Sequence, residues 1–130
     1  MADLKETSFS LLASASLNAQ TLTKQTVYTV PAGKTMIPMF AIIRSVSASL
    51  AGLTDLDMGG DSGAGDWIQE IDLSHITTTT NFIPISHMLG SRPQPFYFPV
   101  YAEATVFGVK INVGSTGAAT FVVDLFGYLF

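Results

Sequence analysis

Thr105-Val106-Phe107-Gly108-Val109-Lys110-Ile111-Asn112-Val113, then Gly114-Ser115-Thr116-Gly117, then Ala119-Thr120-Phe121-Val122-Val123-Asp124-Leu125-Phe126-Gly127-Tyr128-Leu129-Phe130, is the stretch that decides the fold. In its first run, Thr105, Phe107, Val109, Ile111 and Val113 alternate with Val106, Gly108, Lys110 and Asn112. A period of two, with β-branched and aromatic residues on one side, describes a strand with a dry face and a wetter one. In the last run Phe121, Val123, Leu125 and Leu129 share one face, and Thr120, Val122, Asp124, Phe126 and Tyr128 share the other. The small residues between the runs suit a turn, so a hairpin is expected. The second face of the last run is itself apolar apart from Thr120 and Asp124. A strand apolar on both sides lies between layers or against another subunit. Phe126, Tyr128 and Phe130 are therefore interface candidates.

Working outward, residues 25–30 read as a strand stopped by Pro31-Ala32-Gly33, where proline presets φ and glycine accepts a positive one. Residues 34–50 form a long extended stretch. Pro38 cannot donate to a ladder, which places it at an edge or a bulge and splits the stretch in two. Further strands are expected over residues 53–58, 80–85 and 95–101, with a loop at 90–94. Asp66-Trp67-Ile68-Gln69 has the form of a capping box and predicts one helical turn. Residues 1–24 are an arm or a first strand. Seven or eight short strands separated by Gly and Pro turns describe an all-β chain, a single antiparallel β-sandwich or jelly roll spanning residues 1–130.

Composition narrows the function. The chain has 130 residues, 48% hydrophobic but only 12% charged, against roughly 25% charged in ordinary soluble domains. Its surface must be covered by Ser, Thr, Asn, Gln and Gly, or buried against other chains. The net charge is −4 and the six basic residues are scattered, which argues against a nucleic-acid partner. The absence of cysteine removes disulfides, zinc–thiolate sites and a thiol nucleophile. The start of the chain is polar, and the apolar patch at residues 9–12 is too short for a span, so neither export nor membrane insertion is expected.

Few residues could carry chemistry. Gly60-Asp61-Ser62-Gly63 repeats the letters around a serine-protease nucleophile, but His75 and His87 both follow it, and the arrangement reads better as a surface loop. Asp55, Asp57, Asp61 and Asp66 loosely echo a calcium loop, since a hard cation wants several carboxylate oxygens around a glycine-permitted bend. Gly59 at its fifth position offers no side-chain ligand, which favours a solvated acidic loop. No catalytic residue and no cofactor are expected, and the chain is not expected to be an enzyme. Phe96-Tyr97-Phe98-Pro99-Val100-Tyr101 is the densest aromatic run. It reads as a core strand, with Tyr97 and Tyr101 as interface or carbohydrate-stacking candidates because tyrosine buries area while keeping a polar tip.

Two segments resemble a known group. Thr26-Val27-Tyr28-Thr29-Val30-Pro31-Ala32-Gly33-Lys34-Thr35 resembles an opening found in small β-sandwich proteins of tailed-bacteriophage particles. Gly117-Ala118-Ala119-Thr120-Phe121-Val122-Val123-Asp124-Leu125-Phe126-Gly127-Tyr128-Leu129 resembles the ending that accompanies it. The resemblance implies a phage structural protein with a jelly-roll-like fold, and brings no catalytic residues. The expectation is a capsid decoration or cement protein, made in the host cytoplasm and carried on the virion surface. Its partners would be the major capsid protein and copies of itself, as a homotrimer. A tail or baseplate adaptor is the alternative within the same class, and a carbohydrate-binding β-sandwich module the alternative outside it.

Overall fold

The computed structural model describes residues 8–77, 82–86 and 99–130. Its strands are β1 (Phe9–Asn18), β2 (Gln25–Thr29), β3 (Met36–Arg44), β4 (Asp55–Gly59), β5 (Ile68–Ile71), β6 (Ile83–Ile85), β7 (Val106–Val113) and β8 (Thr120–Leu129). They form two antiparallel four-stranded sheets, in the orders β1-β8-β3-β6 and β2-β7-β4-β5. The order has a simple logic. The pairs β1–β8, β2–β7, β3–β6 and β4–β5 are those of one long hairpin, taken alternately into the two sheets. Rolling that hairpin then brings β8 beside β3 and β7 beside β4. Among the described residues this is an eight-stranded jelly roll.

The two decisive runs lie at the centres of the two sheets, and their inward faces make the core. Phe107, Val109 and Ile111 of β7 meet Phe121, Val123 and Leu125 of β8 in one cluster, all six fully buried. The expected hairpin between them is not formed. Alternation fixes which face of a strand is dry, but it does not choose the strand's partner. Each strand satisfies its apolar face by looking across the sandwich at the other. The connection between them is held by neighbouring crossovers: Ser115 N donates to Ala19 O at 3.0 Å, and Thr116 N to Ala51 O at 2.8 Å. Val113, expected on the dry face, is exposed where β7 leaves the sandwich.

Other expectations need adjustment. β3 is a single strand that ends at Arg44, and Pro38 lies within it at a register shift between Pro38 and Phe40. Its edge there is tolerable because β6 pairs only with Ala41, Ile42 and Ile43. Residues 66–69 form no helical turn. The Asp66 carboxylate bonds backward along the loop rather than capping forward, and Ile68 opens β5. Residues 9–18 settle the first segment as a strand, β1. Of the strand expected over 95–101, the part up to residue 98 lies outside the described residues; Pro99 and Val100 are irregular, and Tyr101 makes an isolated bridge to Met36. The loop at 90–94 also lies outside them. At Pro31-Ala32-Gly33 the turn closes as expected: Lys34 N donates to Pro31 O at 3.1 Å, Gly33 has φ +73°, and its N–H donates to the Glu103 carboxylate.

Candidate functional site: the outer face of the first sheet

Side chains alternate across a strand, so the residues of β8 that do not enter the core must stand on the other side of the sheet. Register then sets their neighbours. Phe126 pairs with Phe40 of β3 and Leu11 of β1, while Tyr128 pairs with Phe9 and Ile37. The rings of Phe40 and Phe126 stack with centroids 4.7 Å apart and planes 13° apart. Phe9 lies 5.6 Å from Phe40 and 6.2 Å from Phe126, and meets Tyr128 edge-on at 5.6 Å. Offset stacking and edge contacts are the arrangements that aromatic quadrupoles favour. No other described strand covers this cluster. Phe9 is 44% exposed and its neighbour Leu11 52%, while Phe40, Phe126 and Tyr128 are half-buried against one another.

The same face changes character toward its middle. Asp124 carries the one carboxylate on β8, and β3 brings Arg44 beside it: Arg44 Nε donates to Oδ2 at 2.6 Å and Nη2 to Oδ1 at 3.2 Å. Ser14 of β1 donates to Oδ1 at 2.6 Å. Three strands thus neutralise one buried charge with a two-pronged ion pair. Its Arg44 hydrogen bond, reinforced by Ser14, holds the Asp124 carboxyl below its usual range against the opposing effect of burial. A depressed folded-state pKa contributes stability that is fully present above the unfolded value, about 3.9, and is lost as pH falls through the lower folded value. The melting temperature should therefore drop as pH falls below about 4, and Asp124→Asn should flatten that acid part of a melting-temperature profile. Equal acid slopes in the two proteins would show that the pair contributes nothing.

The acidic loop is organised around different work. Asp66 Oδ1 accepts hydrogen bonds from Gly60 N at 2.7 Å, Asp61 N at 3.3 Å and the Tyr101 hydroxyl at 2.8 Å. Asp61 accepts from Gly65 N, and Asp55 and Asp57 both accept from Asn112. Among the described residues no three His, Asp or Glu side chains converge as a metal site. Adding calcium is expected to leave the melting temperature unchanged, whereas a bound ion would stabilise by about 2.7 kcal/mol at a roughly hundredfold excess over Kd. A calcium-dependent rise lost on Asp57→Ala would overturn that.

Tyr101 is withdrawn from the interface candidates. It is buried, its ring meets Phe107 edge-on at 5.9 Å, and its hydroxyl is engaged by Asp66 and Gly60 N. Burial and the adjacent Asp66 carboxylate raise its pKa, keeping it a neutral donor. Tyr97 and His87 lie outside the described residues. His75 is exposed, as is Ser62 of the protease-like tetrapeptide. Phe130 is half-buried and extends the ladder, exchanging both backbone hydrogen bonds with Thr35. Phe9 and Phe40 were not legible as site residues. Alternation of Phe40 and Ile42 with Ala41 and Ile43 carries the signal, but Pro38 obscures where that strand begins. A scan of protein-family models found no match for this chain, and searches of curated proteins and of solved structures found none either.

Proposed function

We propose that this protein is a virion structural protein of the capsid decoration or cement type, binding the outside of a phage head as an oligomer. The observation that carries the reading is the cluster of Phe9, Phe40, Phe126 and Tyr128 on an outward sheet face. Interface cores are enriched in aromatic residues and depleted of charge, which matches both the cluster and the 12% charged composition. A jelly roll is used by capsid proteins, lectins and cupins alike, so the fold supports the reading without selecting it. The two phage-like segments supply the setting.

The test is co-sedimentation with heads that lack the protein. Wild type should pellet with them, and Phe126→Ser combined with Tyr128→Ser should stay folded and remain in the supernatant. Failure of wild type to associate with heads would sink the proposal. Binding in a glycan array would favour the carbohydrate module instead, though burial of Tyr101 removes one of the two tyrosines on which that alternative rested.

A further inference from the structure

A two-sheet sandwich has four edges, and three of them are blunted here. β6 is three residues long with Pro84 at its centre. β5 is four residues long and contains Glu70 with φ +59°. β2 has five residues and a register shift between Thr26 and Tyr28. Short length, charge, proline and irregularity are the ordinary protections of an open edge. β1 differs. It runs for ten residues, Phe-Ser-Leu-Leu-Ala-Ser-Ala-Ser-Leu-Asn, without a charge or a proline, and past its own register shift between Leu11 and Ala13 it is regular from Ala13 to Asn18. It pairs with β8 on one side, and among the described residues no strand pairs with the other. The Gln25 side chain closes only one end, accepting from Asn18 N at 2.8 Å and donating to Asn18 O at 2.9 Å.

We infer that this edge is completed by β1 of a second copy, running antiparallel across a two-fold axis. An edge of unpaired N–H and C=O groups is matched by another extended strand. The copy fits because the strand is self-compatible: with no charge on it, no antiparallel register brings like charges together. Its centre, Ala13-Ser14-Ala15-Ser16, is small enough for close approach, and with Ser14 opposite Ser14 the alanines face each other. The two first sheets then form one continuous sheet of eight strands. Both aromatic clusters lie on the same face of it, which doubles the surface proposed above for the head. This pairing makes the assembly even-numbered, in place of the trimer expected from sequence. It needs no capsid, so it stands apart from the proposal of head binding.

The experiment is light scattering on the purified protein over a wide concentration range, together with single cysteines introduced as Ser14→Cys and Ser16→Cys in this cysteine-free chain. Wild type should have twice the chain mass or an even multiple. At least one of the cysteine variants should form a disulfide-linked dimer on mild oxidation. Ser16→Lys, which puts a charge in the middle of the edge, should lower the mass to that of half the assembly. A monomeric wild type, a trimer, or a dimer in which neither cysteine cross-links would overturn the inference. If Ser16→Lys fails to fold, the cross-link still decides. Wild type that pellets with heads yet remains monomeric would sink the edge pairing and leave head binding standing.

Discussion

Phe121→Ala should destabilise the protein by about 3–5 kcal/mol, out of the roughly 5–15 kcal/mol that a domain of this size holds. Phe121 is fully buried in β8, the strand that joins β1 to β3. It is paired with Leu17 and belongs to the cluster that contains Phe107, Val109 and Ile111 of the other sheet. Removing the ring leaves a void with framework on both sides, and neither sheet can collapse into it without giving up its ladder. Urea unfolding of this variant beside Thr120→Ala gives the comparison. Thr120 is exposed on the opposite face, and its truncation should shift stability by no more than about 0.5 kcal/mol. Equal midpoints would place the inward face one residue out of register.

Gly127→Ala should cost about 3 kcal/mol, which is large for the addition of one methyl group. Gly127 sits opposite Pro38 of β3, at the register shift of that strand, and opposite Ser10 of β1. A Cβ there would run into the Ile37 carbonyl oxygen and come within 3.1 Å of Pro38 Cα. Both obstacles are backbone, so no rotamer change relieves them. β3 would have to move away from the central strand. Gly117→Ala is the control: a Cβ at Gly117 meets nothing within 4 Å, and alanine there should be neutral or stabilise by up to about 1 kcal/mol by restricting the unfolded chain. If both variants melt like wild type, β3 slides freely at Pro38 and the close approach is not a constraint.

These two positions also show what the sequence could and could not disclose. Phe121, Val123, Leu125, Val109 and Ile111 were legible as core because a period of two leaves no choice of face once one side is apolar. The partner of each strand was not legible. Residues 114–119 resemble a hairpin turn in composition, yet they carry the chain from one sheet to the other. Gly127 interrupts the inward series Phe121, Val123, Leu125 and Leu129, and the register shift at Pro38 opposite it accounts for the missing side chain. At the candidate site Phe126 and Tyr128 followed from alternation alone. Phe9 and Phe40 come from strands that register brings beside β8, and register over more than eighty residues leaves no local trace. Tyr101 was misplaced for a related reason: its hydroxyl answers a carboxylate thirty-five positions earlier, in a loop whose shape the sequence does not announce.

The position of β8 has a consequence for how the molecule comes into being. It is the last of the described strands to emerge during synthesis, and it is also the strand between β1 and β3. Until it arrives, the first sheet consists, among the described residues, of β3 with the short β6, and β1 has no strand of that sheet to pair with. At a synthesis rate of roughly 5–20 residues per second, most of the chain spends seconds waiting for its keystone. The second sheet waits nearly as long, because β2 and β4 meet only through β7. Such distant pairings belong to domains that fold in milliseconds to seconds rather than microseconds. The nascent chain therefore holds an uncharged, ten-residue strand in reserve throughout its manufacture, and crowding of ribosomes on one message is the condition under which neighbouring chains would find each other's β1 before their own β8.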